Sequence, residues 1–399
     1  LLAAAANRAP ATEAAAPWWS PLRDLPAYQR ARERGLTLPR PTYLDINVYD
    51  AALDRVRFVY DECDDVIVAM SGGKDSTVVF HLACRVAKER GRLPIKVIWL
   101  DQEVEWQATA DYMRTILYSR GVTPYWMQFP FRLTNSMSHT DGFLTCWDPA
   151  ARDLWIREQD PISVRINPCA PQDRYAYISK HMHAHCDVAG KKHVGVLVGL
   201  RMVESPMRRM QFSVGGAAYK TIKWCHKTVY GNTRTFWPIY DFADQDVWTC
   251  IARNDLPYNR IYDAYFRYGV PRRDMRVSFL IHETSCKDLR MLQELEPETY
   301  DRFLRRVPGA STFGHLADDI MPKQLPPVFA GWLEYRDYLL ENLVEPGNRA
   351  TFRKLWRGQN SEKWYKEHVR GLVINDVDST KLHLMEITEF PKRGTADAA

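Results

Sequence analysis

The sequence predicts an α/β protein: a doubly wound, mostly parallel sheet with a mainly helical C-terminal extension. Three observations predict it. Short apolar runs alternate with amphipathic stretches between about residues 47 and 265, and strands that alternate with helices build a parallel sheet through right-handed crossovers. The first apolar run, Val66-Ile67-Val68-Ala69-Met70, leads through two adjacent glycines into an amphipathic stretch, Thr77 to Val86. From about residue 261 the strand-like runs cease, and helical segments rich in arginine and aromatic residues take over.

In chain order, residues 1–40 are rich in Ala, Pro and Arg and read as a tail or arm. The opening Leu1-Leu2-Ala3-Ala4-Ala5-Ala6 has no Met and no basic stretch, and reads as a truncated leader expected to be disordered. Val48, Ala51, Ala52, Val56, Val59 and Tyr60 recur at helical spacing, predicting a helix from Asn47 to about Asp64. The strand Val66–Met70 and the helix after it follow, and Gly91 is a natural helix stop. A second strand, Ile95–Leu100, ends at Asp101. A helix from Trp106 to Ser119 stops at Gly121, and Tyr125–Phe129 forms a third strand. Residues 131–170 read as irregular, with Trp147, Trp155, Asn167 and Pro168, and a long irregular stretch in a compact domain is more often functional than idle. Tyr175–Ala189 reads as a helix, His193–Gly199 as a fourth strand, and Asp244–Asn254 as a capped helix. The organisation is a tail (1–40), a nucleotide-binding domain (41–265), a basic and aromatic helical region (266–390) broken at Pro308-Gly309, Pro326-Pro327 and Pro346-Gly347, and a second tail (391–399).

The chain has 399 residues, 46% of them hydrophobic and 26% charged, the balance of a soluble globular protein. It lacks the run of about 18 apolar residues that a membrane span needs. The net charge of +5 suits anionic ligands but is too small to establish nucleic-acid binding. Eight scattered cysteines, with no adjacent pair and no C-x-x-C, imply reduced thiols, a cytoplasmic location and no iron–sulfur cluster.

The chemistry starts at Ser71-Gly72-Gly73-Lys74-Asp75-Ser76, between the first strand and its helix. Two glycines let the main chain approach an anion closely. The helix start offers N–H groups and the positive end of the dipole. Lys74 adds a charge, and Ser71 and Ser76 add hydroxyl donors. The predicted ligand is a nucleotide phosphate. The adjacent glycines exclude a Walker A loop, G-x-x-x-x-G-K-[ST]. The string resembles the PP-loop of the N-type ATP pyrophosphatases and of the 3′-phosphoadenylylsulfate (PAPS) reductases.

Two later motifs extend the resemblance. Gly199-Leu200-Arg201 with Glu204-Ser205 and Arg208 is similar to a PAPS reductase motif. An arginine fork at a strand end holds phosphate or sulfate bidentately, with Glu204 positioning Arg201 or accepting a ribose hydroxyl. The run Trp237-Pro238-Ile239-Tyr240-Asp241, Asp246-Val247-Trp248 and Pro257-Tyr258-Asn259 to Asp263 is similar to a strand, helix and turn of the same family. It reads as scaffold, with Asp246 capping and Trp248 in the core. The C-terminal extension resembles the prophage co-activators of the immunoglobulin-binding regulator A (IbrA) type.

The resemblance implies an adenine nucleotide alpha hydrolase-like (HUP-type) fold that binds ATP or a PAPS-like nucleotide. It also implies attack by an acceptor on the α-phosphate, with loss of pyrophosphate. Lys74, Asp75, Arg201 and Arg208 are the implied catalytic residues; Ser71, Gly72, Gly73, Ser76, Asp101, Gly199, Glu204 and Ser205 complete the nucleotide site. Asp75 and Asp101 are the candidates for Mg²⁺, which binds through one or two carboxylates and phosphate oxygens. The chain departs from the family in its cysteines. The E-C-G-x-H motif of PAPS reductases, the paired cysteines of assimilatory adenylylsulfate reductases and the clustered cysteines of DNA phosphorothioation enzymes are all missing. The acidic element after the second strand is altered to Asp101-Gln102-Glu103-Val104-Glu105-Trp106. A reductase would need an atypical cysteine such as Cys286. A third alternative is a nucleotide-sensing regulatory subunit working with a DNA-binding partner. The acceptor is unspecified, and a homo-oligomer is among the expected assemblies.

Two further clusters stand out. His181, His183, His185 and Cys186, joined by Cys169, Cys225, His226 and Cys286, are a candidate zinc set, although their spacing does not specify four converging ligands. Arg267, Arg272, Arg273, Arg276, Arg302, Arg305 and Arg306, with Arg353–Arg357 and Lys363–Lys366, interleave charge with aromatics, as nucleic-acid grooves do, but nearby acids make ordinary helix faces the plainer reading. Arg276 is also a candidate to return to the nucleotide site.

Overall fold

The computed structural model describes residues 44–167 except 139, 193–204, 219–227 except 221, 233–272, 286–311 and 324–376 except 374, with isolated positions such as Cys186, Arg208 and Met275. The tails 1–40 and 391–399, His181, His183, His185, Cys169, Ser205, Arg273, Arg276 and the side chain of Cys286 lie outside the described residues, as does most of the expected helix Tyr175–Ala189.

The alternation read from the sequence becomes α1 (Val48–Glu62), β1 (Asp65–Ala69), α2 (Lys74–Glu89), β2 (Ile95–Leu100), α3 (Gln107–Leu117) and β3 (Val122–Met127). A short antiparallel hairpin follows, β4 (Phe131–Thr134) with β5 (Phe143–Cys146). The chain returns to the sheet at β6 (Val194–Val198), β7 (Cys225–Lys227) and β8 (Thr233–Phe236). The sheet order is β3-β2-β1-β6-β8-β7. All pairs are parallel except β7 with β8. The fold is therefore α/β with a mostly parallel sheet. The order reverses between β1 and β6, and ligands bind beyond the carboxyl ends of the strands at such a point.

Side chains alternate across each strand, so the sheet has two cores. Val66, Val68, Val97, Trp99 and Leu197 face α1, α2, α3 and α4 (Asp244–Arg253). Ile67, Ile98, Met127 and Val196 face the other way, against Phe129, Phe131, Leu133, Trp147 and Trp155. The same layer includes residues of α5 (Ile261–Arg267), α6 (Cys286–Leu295) and α7 (Pro297–Arg306). Each such aliphatic side chain contributes roughly 1.5–3 kcal/mol by leaving water. A third cluster is separate: Leu339, Leu340, Val344, Phe352, Trp356, Val369 and Leu372 join α8 (Trp332–Asn342), α9 (Pro346–Leu355) and α10 (Glu362–Val373).

Several expectations change. Residues 131–170 are not wholly irregular: they hold the hairpin and a 3-10 helix at Pro149–Leu154, and their aromatic residues cover one face of the sheet. The expected strand Trp237–Asp241 is a pair of tight turns, with Tyr240 N–H donating to Trp237 O and Phe242 N–H to Ile239 O. Pro238 has no N–H for a ladder, and the strand instead lies just before it at β8. Arg55 fixes these turns through a bidentate pair to Asp241 at 2.7 and 2.6 Å and a bond to Pro238 O at 2.8 Å.

In the C-terminal region two basic side chains lie against aromatic rings of the same unit. Arg336 sits 5.3 Å from the Trp356 ring centre and 4.9 Å from that of Tyr365, and Lys366 lies 5.2 Å from that of Trp332. Arg306 also departs from the surface reading: it is buried and faces the sheet. Among the described residues no helix is long and apolar enough to cross a membrane.

Candidate functional site

The glycine loop joins β1 to α2, with Gly73 in extended conformation as the residue before the helix. Gly72 has φ +72, and a Cβ there would stand 2.7 Å from Thr109 Cγ2. Both the left-handed backbone and the close approach require glycine. Ser76 Oγ and Thr77 Oγ1 donate back to Gly73 O at 2.9 and 3.0 Å. The Ser71 and Ser76 hydroxyls face each other at 3.4 Å.

The loop is supported from far along the chain. Asn259 Nδ2 donates to Gly72 O at 3.2 Å and to Thr109 Oγ1 at 2.9 Å. The Lys74 backbone N–H donates to the Tyr262 hydroxyl at 3.1 Å. Burial pushes that phenol well above its usual range, so it stays neutral. Trp248, only half-buried, packs edge-on against Tyr258 and Tyr262 at 5.6 and 5.3 Å. Asp246 accepts from Ala243 N–H at 2.7 Å, closing the first turn of α4.

Across the switch point, β6 ends at Gly199-Leu200-Arg201. A Cβ on Gly199 would stand 2.7 Å from the backbone of Asp75 and Ser76. Gly199 thus lets the end of β6 pack directly on the first turn of α2. Arg201 then lies beside that turn, 4% exposed, with Nε 2.5 Å from Asp75 Oδ1. Its Nη2 is 3.5 Å from Glu204 and 3.7 Å from Asp244 Oδ1, and its Nη1 is buried with no hydrogen-bond partner among the described residues. Lys74 Nζ stands 3.2 Å from Asp75 Oδ2 and 3.4 Å from Asp244 Oδ1. Arg208 pairs with Glu204. Lys74, Asp75, Arg201, Glu204 and Arg208 thus form one charged network, three cations against three carboxylates once Asp244 is counted.

Asp101 stands apart from that network. It is fully buried and accepts from Trp126 Nε1, Gln128 Nε2 and the Glu103 N–H, each at 2.9 Å, and it pairs with Arg157. A carboxylate engaged on every side does not suit Mg²⁺ or a ribose hydroxyl, so neither role fits it. Asp75 is held between Lys74 and Arg201. Among the described residues no three His, Cys, Asp or Glu side chains are grouped to hold a metal. The candidate zinc set divides as well: Cys186 is buried in one core layer and Cys225 in the other, on opposite faces of the sheet. His226 is exposed.

The acidic element after β2 is an inward-facing lock. Glu103, at φ +62, pairs with Arg306 at 2.6 and 3.1 Å and accepts from Trp147 N–H at 2.6 Å. Burial raises its carboxyl above the usual range, against the pull of Arg306. Glu105 is pushed up to about 8 by burial and then by the Asp101 charge. The glycine and arginine motifs led directly to the network. Asp244, Asn259, Thr109 and Tyr262 were missed as site residues because nothing local marks them; the nearest signals were the helix start and the P-Y-N-x-x-Y-D run.

Comparison with known proteins bears on the same segment. Residues 65–126 and 154–268 match the phosphoadenosine phosphosulfate reductase domain. The match covers less than half of the chain. It omits the β4–β5 hairpin and everything after α5. The uncharacterized protein YbdN of Escherichia coli (strain K12) is 27% identical over 314 residues, 76% of this chain and 77% of that protein, so this similarity extends beyond the domain. Adenosine 5′-phosphosulfate reductase of Lysinibacillus sphaericus (strain C3-41) is 25% identical over 221 residues, 54% of this chain and 76% of that protein. Among solved structures, PAPS reductase from Candida auris aligns at 11% identity with a TM-score of 0.31, over 57% of this chain and 94% of that one.

Proposed function

We propose that this protein binds ATP or a related adenine nucleotide at the glycine loop and activates an acceptor by adenylyl transfer, releasing pyrophosphate. One observation carries the reading. Lys74 Nζ and Arg201 Nη2 converge on one carboxylate oxygen at 3.4 and 3.7 Å, so two cations from the ends of β1 and β6 serve a single point at the switch of the sheet. The N–H of Lys74 is held by the Tyr262 hydroxyl, and those of Asp75 and Ser76, which have no carbonyl partner within the helix, add donors beside it. In the reaction an acceptor oxygen attacks the α-phosphorus. The bond from that phosphorus to the bridging oxygen breaks, and pyrophosphate leaves with the electron pair. Lys74, Arg201 and the helix start stabilise the charge that gathers on the leaving group, the kind of preorganised electrostatic effect that often dominates catalysis. No step is assigned to Mg²⁺, because Asp101 does not fit a metal.

The test is ATP binding and pyrophosphate release with candidate acceptors, for the wild type and Lys74→Ala. We expect Lys74→Ala to weaken ATP binding by about 100-fold, the loss of one charge-assisted contact. Unchanged affinity overturns the site. Tight ATP binding without pyrophosphate under any condition favours a nucleotide-sensing subunit.

Sulfonucleotide reduction is a second reading, favoured by relatives that bear the name adenosine 5′-phosphosulfate reductase. It needs a reactive thiolate. Burial pushes Cys63 and Cys250 up to about 11 and Cys84 and Cys225 to about 12, and raises Cys146 and Cys186 as well. Thiols held protonated are poor nucleophiles, which leaves Cys169 and Cys286. Sulfite released from a sulfonucleotide and a thiol donor, and lost in Cys286→Ser, would establish this reading.

A further inference from the structure

The geometry points to Asp244 as a specificity-determining residue: an internal competitor that makes the site select adjacent phosphates over a single small anion. This rests on the assignment of Lys74 and Arg201 to phosphate.

Asp244 Oδ1 stands 3.4 Å from Lys74 Nζ and 3.7 Å from Arg201 Nη2. Both separations exceed the usual hydrogen-bond length, so the attraction is Coulombic and replaceable. The Asp75–Arg201 pair, at 2.5 Å, is much closer. The other oxygen of Asp244, Oδ2, is buried with no hydrogen-bond partner among the described residues. Both cations are almost wholly buried, where charges are screened less than at the surface. Asp244 therefore occupies the electrostatic position that a phosphate oxygen would take.

The plainer account is that Asp244 only favours the helix dipole at the start of α4. The first turn already has Asp246, whose carboxylate accepts from the Ala243 N–H at 2.7 Å. A dipole role also needs no approach to Lys74 or Arg201.

The charge count gives the consequence. Among the described residues three cations face three carboxylates, so their charges balance. A small anion that replaces Asp244 at this point brings only one charged group against it. Two linked phosphates bring a second charged group beside the same two cations and outweigh the carboxylate. Removing the Asp244 charge leaves a net positive site that takes either ligand.

The experiment is calorimetric titration of the full chain with inorganic pyrophosphate, inorganic phosphate and ATP at fixed ionic strength, with and without Mg²⁺. Wild type, Asp244→Asn and Lys74→Ala are compared. We expect Asp244→Asn to bind pyrophosphate about tenfold more tightly without Mg²⁺, and to gain at least as much for phosphate, so that the preference narrows. Equal or weaker pyrophosphate binding by Asp244→Asn, with wild-type binding intact and lost in Lys74→Ala, overturns the inference but leaves the site reading standing. A loss confined to Mg²⁺-containing samples makes Asp244 a metal ligand and also overturns it. No binding of ATP or pyrophosphate by the wild type overturns the site reading and this inference together. Should Asp244→Asn fold poorly, Asp244→Ser is titrated in its place, with the ligand-induced rise in Tm as a second readout; a rise no larger than that of the wild type counts against the inference.

Discussion

Where β1 and β6 end, Lys74 meets its acidic neighbours at 3.2 and 3.4 Å, and Arg201 keeps a buried nitrogen without a hydrogen-bond partner among the described residues. At the end of the adjacent β2, Asp101 accepts three hydrogen bonds at 2.9 Å and pairs with Arg157, while Glu103 is held by Arg306. Both places lie at the carboxyl edge of a parallel sheet, and both gather opposite charges. The first leaves hydrogen-bonding capacity over for a ligand. The second spends the carboxylate oxygens of Asp101 and Glu103 within the protein, although Arg157 Nε and Glu105 Oε2 are buried there with no hydrogen-bond partner among the described residues. Position in the fold nominates a functional residue, and the saturation of its partners decides between chemistry and scaffold.

Breaking the saturated end gives the largest expected effect. Arg306→Met leaves Glu103 buried without its cation, which should destabilise the protein by about 3–5 kcal/mol, measured by urea unfolding. A loss below about 1 kcal/mol would mean that the lock is no stronger than a surface pair and would erase the contrast. At the open end, Gly199→Ala places a Cβ 2.7 Å from backbone that cannot rotate away. The expected destabilisation is about 1–3 kcal/mol, with weaker ATP binding because the first turn of α2 must shift. Wild-type ATP affinity in a folded Gly199→Ala protein would show that the β6–α2 contact does not shape the site.

A third test is a pH dependence. Glu105 is pushed up to about 8 in the folded protein, against about 4.3 in an unfolded chain. Between these values the folded state holds a proton that the unfolded state has lost, so stability falls as pH rises. The contribution is fully present below about pH 4 and gone above about pH 8. Tm should therefore decline across that window in the wild type and decline less in Glu105→Gln. Parallel profiles would show that Glu105 does not titrate there.

The sheet was legible because its strands carry continuous apolar runs such as Val66–Met70 and Val97–Leu100, buried on both faces. The hairpin was not, since four-residue strands such as Phe131–Thr134 are too short to show a period. The turn at Trp237–Asp241 misled because apolar residues around Pro238 resemble an edge strand, whereas Arg55, far back in the chain, fixes the turn. In the site, Lys74 and Arg201 were marked by local motifs. The saturation of Asp101 was hidden because Arg157 and Trp126 belong to other segments. Sequence displays which groups a residue has, but their partners are set by tertiary packing.

The supports beneath the glycine loop also set an order of events during synthesis. Asn259 and Tyr262 reach Gly72 and Lys74 across 187 and 188 positions of chain. A growing polypeptide that has completed β1, α2 and β2 still lacks the groups that hold the loop from below. The phosphate cradle is therefore finished among the last parts of its domain, and a nascent chain ending before α4 should capture nucleotide poorly even though its glycine motif has long since emerged.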